Sequence, residues 1–260
     1  MRPFDFFLFS IDPLFAQKAA LAGIDAILID WESKDKERRQ VGNDTEINQH
    51  TPEDLRRMRQ ALSIPIICRL NGYSDSTSAE MEQAITLGAN ELLLPMVRSV
   101  WEVDQLLNRA QGRVKIGILI ETLDAIRIAS DLASLPLSRV FVGLNDLAIE
   151  RRSKQLFAPI ADGTIERLRS KFTVPFGFGG ITLPEYGDPI PCSLLVKEML
   201  RLDCQFSFLR RSFYRDIRGR NLSMEIPRIK TWIQSLRHRS QAEIEEDFHE
   251  LISKIEPCLI

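Results

Sequence analysis

The chain is poor in the residue types that mark several functional classes. It has four cysteines and three histidines in 260 residues. No two cysteines share a CxxC spacing and no histidine pair lies near them, which excludes a zinc site of the usual kinds. Cys68, Cys192, Cys204 and Cys258 are therefore read as reduced thiols of a cytoplasmic protein. An excess of charge of either sign is also missing. The formal net charge is -2 and the pI is near 6.0, so nothing favours nucleic acid or an anionic membrane surface as a partner. Long apolar runs are absent too. Met1-Arg2-Pro3 leads directly into a strand-like run interrupted by Asp5 and Asp12, which is expected to be neither a signal peptide nor a membrane span. No Ser/Gly linker or break in composition divides the chain. No early Gly-rich turn supports a dinucleotide fold.

What is present is an ordinary globular composition, 44% hydrophobic and 27% charged, in a length that suits one αβ barrel or two small domains. Short β-rich runs alternate with stretches of helical period. Strands are expected at 4–9, 26–30, 65–70, 91–95, 115–120, 139–143, 175–179 and 206–209. The run 26–30 is apolar up to its terminal aspartate, as in a parallel strand buried on both faces. Local signals place several helix ends. Gly23 and Gly88 suit C′ positions, and Thr51-Pro52-Glu53-Asp54 reads as an N-cap, a first-turn proline and two acids at the positive end of the dipole. Eight such units predict a (β/α)8 TIM barrel over 1–239.

A C-terminal helical extension follows over 240–260. Ser240 and Glu243 make a capping box, and Ile244, Phe248, Leu251, Ile252 and Ile255 form one apolar stripe. The stripe must be buried, either on its own barrel or against a second copy in a homo-oligomer.

An αβ barrel builds its site at the carboxyl ends of its strands. Ser10, Asp30, Glu32, Arg69, Asn71, Pro95, Met96, Glu121, Asn145 and Asp146 fall there, with Gly179-Gly180 and Arg210-Arg211 completing the ring. Glu121 and Asp146 are separated by about one βα unit, so adjacent strands bring them together. Two carboxylates with positions left for water and substrate suit magnesium or manganese (Mg2+ or Mn2+). Arg69 ends an apolar strand, where its guanidinium needs a carboxylate, either Asp30 or Glu32 or one carried by the substrate. Gly179 and Gly180 follow the seventh strand, where barrels often bind anions through backbone N–H groups. Arg210, Arg211 and Arg215 follow the eighth and could bind an anionic group, unless they form a solvated basic loop. The polar stretch 31–50 is longer than most βα loops and marks a functional or mobile segment, with Glu46 and His50 as residues that could reach the site.

Five motifs in order, IDWE at 29–32, CRLNG at 68–72, GANELLLPMV at 88–97, IETLDAI at 120–126 and GLNDLA at 143–148, resemble the HpcH/HpaI aldolase and citrate lyase family of phosphoenolpyruvate/pyruvate-type barrels. The resemblance covers 21–148. It implies Glu121 and Asp146 as metal ligands, Arg69 as the arginine that contacts an oxo acid and stabilises its enolate, and Asp30 and Glu32 as neighbours in the site. Pro95 and Met96 would close the strand that passes beside the bound carboxylate. In one respect the chain departs from the pattern. Ser33 stands where pyruvate aldolases of this kind commonly have a histidine and citrate-lyase-like members an acid, which leaves Glu32 for the acid/base step, or Glu46 or His50 on the long loop, with Arg69 and Asp30 as the other catalytic residues.

The implied function is a metal-dependent carbon–carbon lyase or aldolase acting on a small oxo-acid or acyl substrate. A CoA-thioester lyase and a non-catalytic barrel with a binding or regulatory role are the alternatives.

Overall fold

A computed structural model describes residues 3–34, 48 and 50–255. The stretch 35–47, including Glu46, and Cys258 lie outside the described residues. Strands form where the apolar runs predict them, β1 (Asp5–Phe9), β2 (Ala26–Asp30), β3 (Ile66–Arg69), β4 (Glu91–Leu94), β5 (Lys115–Ile120), β6 (Val140–Val142), β7 (Phe176–Phe178) and β9 (Phe206–Leu209), and at one short segment outside the predicted runs, β8 (Gly180–Ile181). All the pairings are parallel, in the order β7-β6-β5-β4-β3-β2-β1-β9-β8.

The two ends of that series, β7 and β8, are separated in sequence only by Gly179. They are halves of one strand, the first pairing with β6 and the second with β9. The nine segments thus form an eight-position barrel, nearly closed, with its seam at Gly179. Gln205 bridges the seam. Its N–H donates to the Phe176 carbonyl at 3.0 Å, while its side-chain oxygen accepts from the Phe176 N–H at 2.8 Å. Gly179 adopts a φ of 57°, a left-handed conformation that glycine enters without a Cβ penalty. The expected seventh strand, 175–179, is shorter than predicted because this turn interrupts it.

Two apolar layers follow from the period of two along each strand. Phe7, Leu28, Ile67, Leu93, Leu119, Phe141, Phe206 and Phe208 fill the barrel interior. Their neighbours, such as Phe6, Leu8, Ile27 and Ile66, face the helices. The interior is aromatic, with Phe141 stacked on Phe208 at 3.8 Å between centroids and Phe7 on Phe206 at 5.1 Å. Arg139 packs against this interior. It lies over the Phe7 and Phe206 rings at 4.6 and 5.0 Å and pairs with Glu91 at 2.6 Å.

The helix signals are local and they hold. Gly23 and Gly88 take φ values of 106° and 93°, and Thr51 and Asp54 form a reciprocal capping box ahead of the helix Pro52–Ala61. The helical stretch expected after Glu121 is broken at Ile128 into Leu123–Arg127 and Ala129–Leu132. Beyond the barrel, helix Gln241–Ile255 packs on helix Cys192–Arg201 of its own chain. Leu251 and Ile255 are buried, Asp247 pairs with Lys197 and Arg239, and Phe248 lies under the Arg201 guanidinium. The stripe is thus partly buried on its own barrel, with Ile244, Phe248 and Ile252 half-buried. Cys68, Cys192 and Cys204 are buried and free. Among the described residues no helix is long and apolar enough to cross a membrane.

Candidate active site

The carboxyl ends of the strands surround a cavity of about 1020 Å³, lined among others by Phe9, Arg69, Glu121, Asp146, Gly179 and Arg210. Glu121 is the first residue past β5. Strand geometry delivers its carboxylate to the barrel mouth, and Thr122 immediately N-caps the helix Leu123–Arg127, which anchors the backbone on the other side. Asp146 arrives differently. The sequence predicts a residue at a strand end, but β6 stops at Val142 and Asp146 sits in the first turn of helix Leu144–Glu150. There it benefits from the positive end of the helix dipole.

Glu121 is almost wholly buried. Burial pushes its carboxyl up to about 8, the charges of Asp146 and Glu32 push the same way, and Arg69 and the Met96 N–H only partly oppose them. Two backbone features fit this carboxylate into place. The Met96 N–H donates to Glu121 Oε2 at 3.1 Å, from a residue held at a φ of 54°. Such a conformation is costly for a side chain like methionine and is maintained by its surroundings. On the other side, a Cβ on Gly143 would fall 2.3 Å from Glu121 Oε1. Glycine at 143 is what leaves space for the acid.

Arg69, at the end of β3, resolves the choice left open by its sequence position. Its Nε and Nη2 donate to the two oxygens of Asp30 at 2.8 and 2.7 Å, and Nη1 lies 3.3 Å from Glu32 Oε2. The strand register explains the fork, since Asp30 and Arg69 are direct partners across β2 and β3. Burial works against the guanidinium charge, but Asp30, Glu32 and Glu121 outweigh it and hold the group well above its ordinary range. Its plane also lies over the Phe9 ring at 5.4 Å. Asp30 is further fixed by Asn48, whose side-chain amide donates to it at 2.9 Å, and by His50, whose Nδ1 accepts from the Asp30 N–H at 3.0 Å.

The structure thus brings Arg69, Glu121, Asp146, Gly179 and Gly180 to one cavity, with Asp30 and Glu32 buried behind Arg69. Pro95 and Met96 are not among the cavity-lining residues; Met96 reaches the site through its N–H to Glu121. The Gly179 N–H donates to the Val142 carbonyl at 3.2 Å, so it is used by the barrel seam. Ser33 is exposed, and its N–H, like that of Lys34, is held by the Asn71 side-chain oxygen. Gly143, Tyr186 and Tyr214 are contributors that sequence reasoning did not select. Only Gly143 carried a signal, as the first residue of GLNDLA.

The model of the HpcH/HpaI aldolase/citrate lyase family matches residues 4–156. The chain belongs to this family. The match spans β1 to β6 with Asp30, Glu32, Arg69, Glu121 and Asp146. No curated protein matches the sequence. Among the solved structures that share the fold, two illustrate the likeness. RipC from Yersinia pestis is 19% identical, with 93% of this chain and 98% of that one covered at a TM-score of 0.56. The citrate synthase SbnG is 17% identical, with 90% and 94% covered at a TM-score of 0.52. At these identities they bear on architecture alone. The family membership makes a lyase-type activity the coarse assignment.

Proposed function

We propose that the chain is a divalent-metal-dependent carbon–carbon lyase or aldolase that works through the enolate of a pyruvate-like 2-oxo acid. The observation that carries this reading is the buried carboxylate pair, Glu121 and Asp146, in the same cavity as Arg69. A metal would be held by these two acids. The donor set fits one: both groups are hard oxygen ligands, which suit magnesium or manganese, and their mutual repulsion is a charge that a cation would neutralise. Among the described residues no group of three or more His, Cys, Asp or Glu converges on a metal position, so water and substrate would complete the shell. A divalent ion bound there supplies Lewis acidity toward the carboxylate and carbonyl of a chelating oxo acid.

The chain's own residues supply the rest. Arg69 presents a fixed positive charge in a dry setting, where negative charge on the enolate oxygen develops, and it needs no reorganisation because Asp30 and Phe9 already hold it. Both Asp30 oxygens are occupied by hydrogen bonds, which makes it the positioning group for Arg69. Glu32, buried behind Arg69 and 3.3 Å from it, helps to hold Arg69 in its charged form. In the synthetic direction the C3 proton of the oxo acid passes to a base, the enolate carbon bonds to the carbonyl carbon of a second reactant as that carbonyl's π bond breaks, and the conjugate acid of the base returns the proton to the resulting alkoxide.

The test is exchange of the pyruvate methyl protons with deuterated water, with magnesium or manganese and after chelation. Metal-dependent exchange that disappears in Glu121→Ala supports the proposal. No exchange in the wild type, or full exchange in Glu121→Ala, overturns it.

A further inference from the structure

The proposed chemistry occupies one wall of the cavity and leaves the opposite wall without a role. In the ring of eight strand positions, β9 lies three steps from β3, which carries Arg69, and three steps from β5, which leads to Glu121. Arg210, the residue after β9, lines the cavity from this far side.

Its surroundings are built around its side chain. The Arg210 N–H donates to the Ile181 carbonyl at 2.8 Å, and its Nε donates to Ser212 Oγ at 3.0 Å. Two glycines make room for it. A Cβ at Gly180 would fall 2.8 Å from the Arg210 Cβ, and one at Gly187 would fall 3.1 Å from Nη2. The two hydrogen bonds hold the residue at the cavity wall, and among the described residues Nη1 and Nη2 form none.

Glu185 and Asp188 line the same wall, but among the described residues neither they nor any other acid pairs with Arg210. Arg69, Arg139, Arg201 and Arg239 are partly or mostly buried, and each pairs with a carboxylate. Arg210 is half-buried, yet among the described residues no carboxylate forms an ion pair with it. Glu185, on the same cavity wall, is held by Arg220 and Arg228, and the neighbouring Arg215 is tied to Asp216. A rigid, partly desolvated guanidinium facing a cavity is matched by the paired oxygens of a carboxylate or phosphate.

We propose that Arg210, with Ser212, binds an anionic group on the second, electrophilic reactant, at the end remote from its reacting carbonyl. The inference rests on the enolate reading of the site. The oxo acid belongs beside Glu121, Asp146 and Arg69, and a cavity of about 1020 Å³ is far larger than a three-carbon acid fills. An electrophile that reaches from the enolate toward β9 places its far end at Arg210. The assignment also gives Gly180 and Gly187 a part in specificity, as space for the Arg210 side chain rather than as donors to a phosphate.

The experiment compares acceptors for pyruvate that differ in the remote group: propanal, malonic semialdehyde and glycolaldehyde phosphate. The readout is the ratio of kcat/KM for each anionic aldehyde over propanal, which cancels general damage to the enzyme. The wild type is expected to favour at least one anionic aldehyde by about 30-fold or more. Which of the two it favours identifies carboxylate or phosphate as the source. In Arg210→Gln the ratio should fall toward one, and Arg210→Lys should restore part of it. A wild type without preference, or a preference that survives Arg210→Gln, overturns the proposal. Pyruvate methyl exchange is measured in the same samples. If the wild type shows none, the enolate reading fails by itself, and calorimetry with malonate and inorganic phosphate then judges Arg210. Loss of anion binding in Arg210→Gln supports the subsite, and equal binding in both proteins overturns it.

Discussion

Gly143 and Glu121 are in contact across the barrel mouth: a Cβ on residue 143 would lie 2.3 Å from Glu121 Oε1 and 2.8 Å from its Cγ. No carbon can sit there, so the acid has its position only because residue 143 has no side chain. The glycine that opens the β6-to-helix turn is therefore part of the site.

Gly143→Ala is the corresponding prediction. The new methyl group should push the Glu121 carboxylate aside while the barrel stays folded. A displacement on the scale of 1 Å costs on the order of 100-fold in rate at a preorganised site. Pyruvate proton exchange should fall by about that factor, with weaker magnesium or manganese binding by calorimetry and a nearly unchanged circular dichroism spectrum. Full exchange would show that the close approach is immaterial.

Glu121 also sets a pH dependence. Its carboxyl is pushed up to about 8 in the folded chain, from an ordinary 4.5. The folded state therefore holds a proton that the unfolded state releases, so the contribution is fully present below pH 4.5 and is lost as pH rises through 8. With metal removed by chelation, stability should decline across this window by up to about 1.4 kcal/mol per pH unit. Glu121→Gln should flatten that slope in urea titrations at pH 5, 7 and 9. An identical slope in the variant would refute the assignment.

The Arg69–Asp30 fork should behave as a buried ion pair. Removing one partner leaves the other charge desolvated, so Asp30→Ala and Arg69→Met should each cost about 3–5 kcal/mol. Asp30 is fully buried and Arg69 is nearly so, which keeps solvent screening small. The double variant should cost much less than the sum of the two. Additive costs in a double-mutant cycle would show that the pair is not coupled.

The barrel seam separates two kinds of glycine. Gly179 needs its left-handed φ of 57°, but a Cβ there would find its nearest neighbour at 3.4 Å. Gly179→Ala should therefore cost about 1–2 kcal/mol, from conformation alone. At Gly177 a Cβ would meet the Phe206 carbonyl oxygen at 2.4 Å, and backbone cannot yield. Gly177→Ala should cost about 3 kcal/mol or more. Equal losses in denaturant titrations would contradict this ordering.

Much of this arrangement was legible in the chain itself, because it depends on neighbours close in sequence. The apolar runs up to Asp30, Arg69 and Glu121 marked parallel strands, and Gly23, Gly88 and the Thr51-Pro52-Glu53-Asp54 stretch marked helix ends, each through local geometry or hydrogen bonding. The separation of Glu121 and Asp146 by one βα unit places both acids at the carboxyl end of the barrel. Tertiary structure decided the matters that involve distant partners. Asp146 lies on a helix and not at a strand end, the seventh strand divides at Gly179 to close the ring, and Met96 takes a positive φ with its N–H toward Glu121. Which arginine faces an acid and which faces the cavity is likewise a matter of space. Arg69 and Arg210 both follow or end strands, and packing puts Asp30 beside one and glycine beside the other.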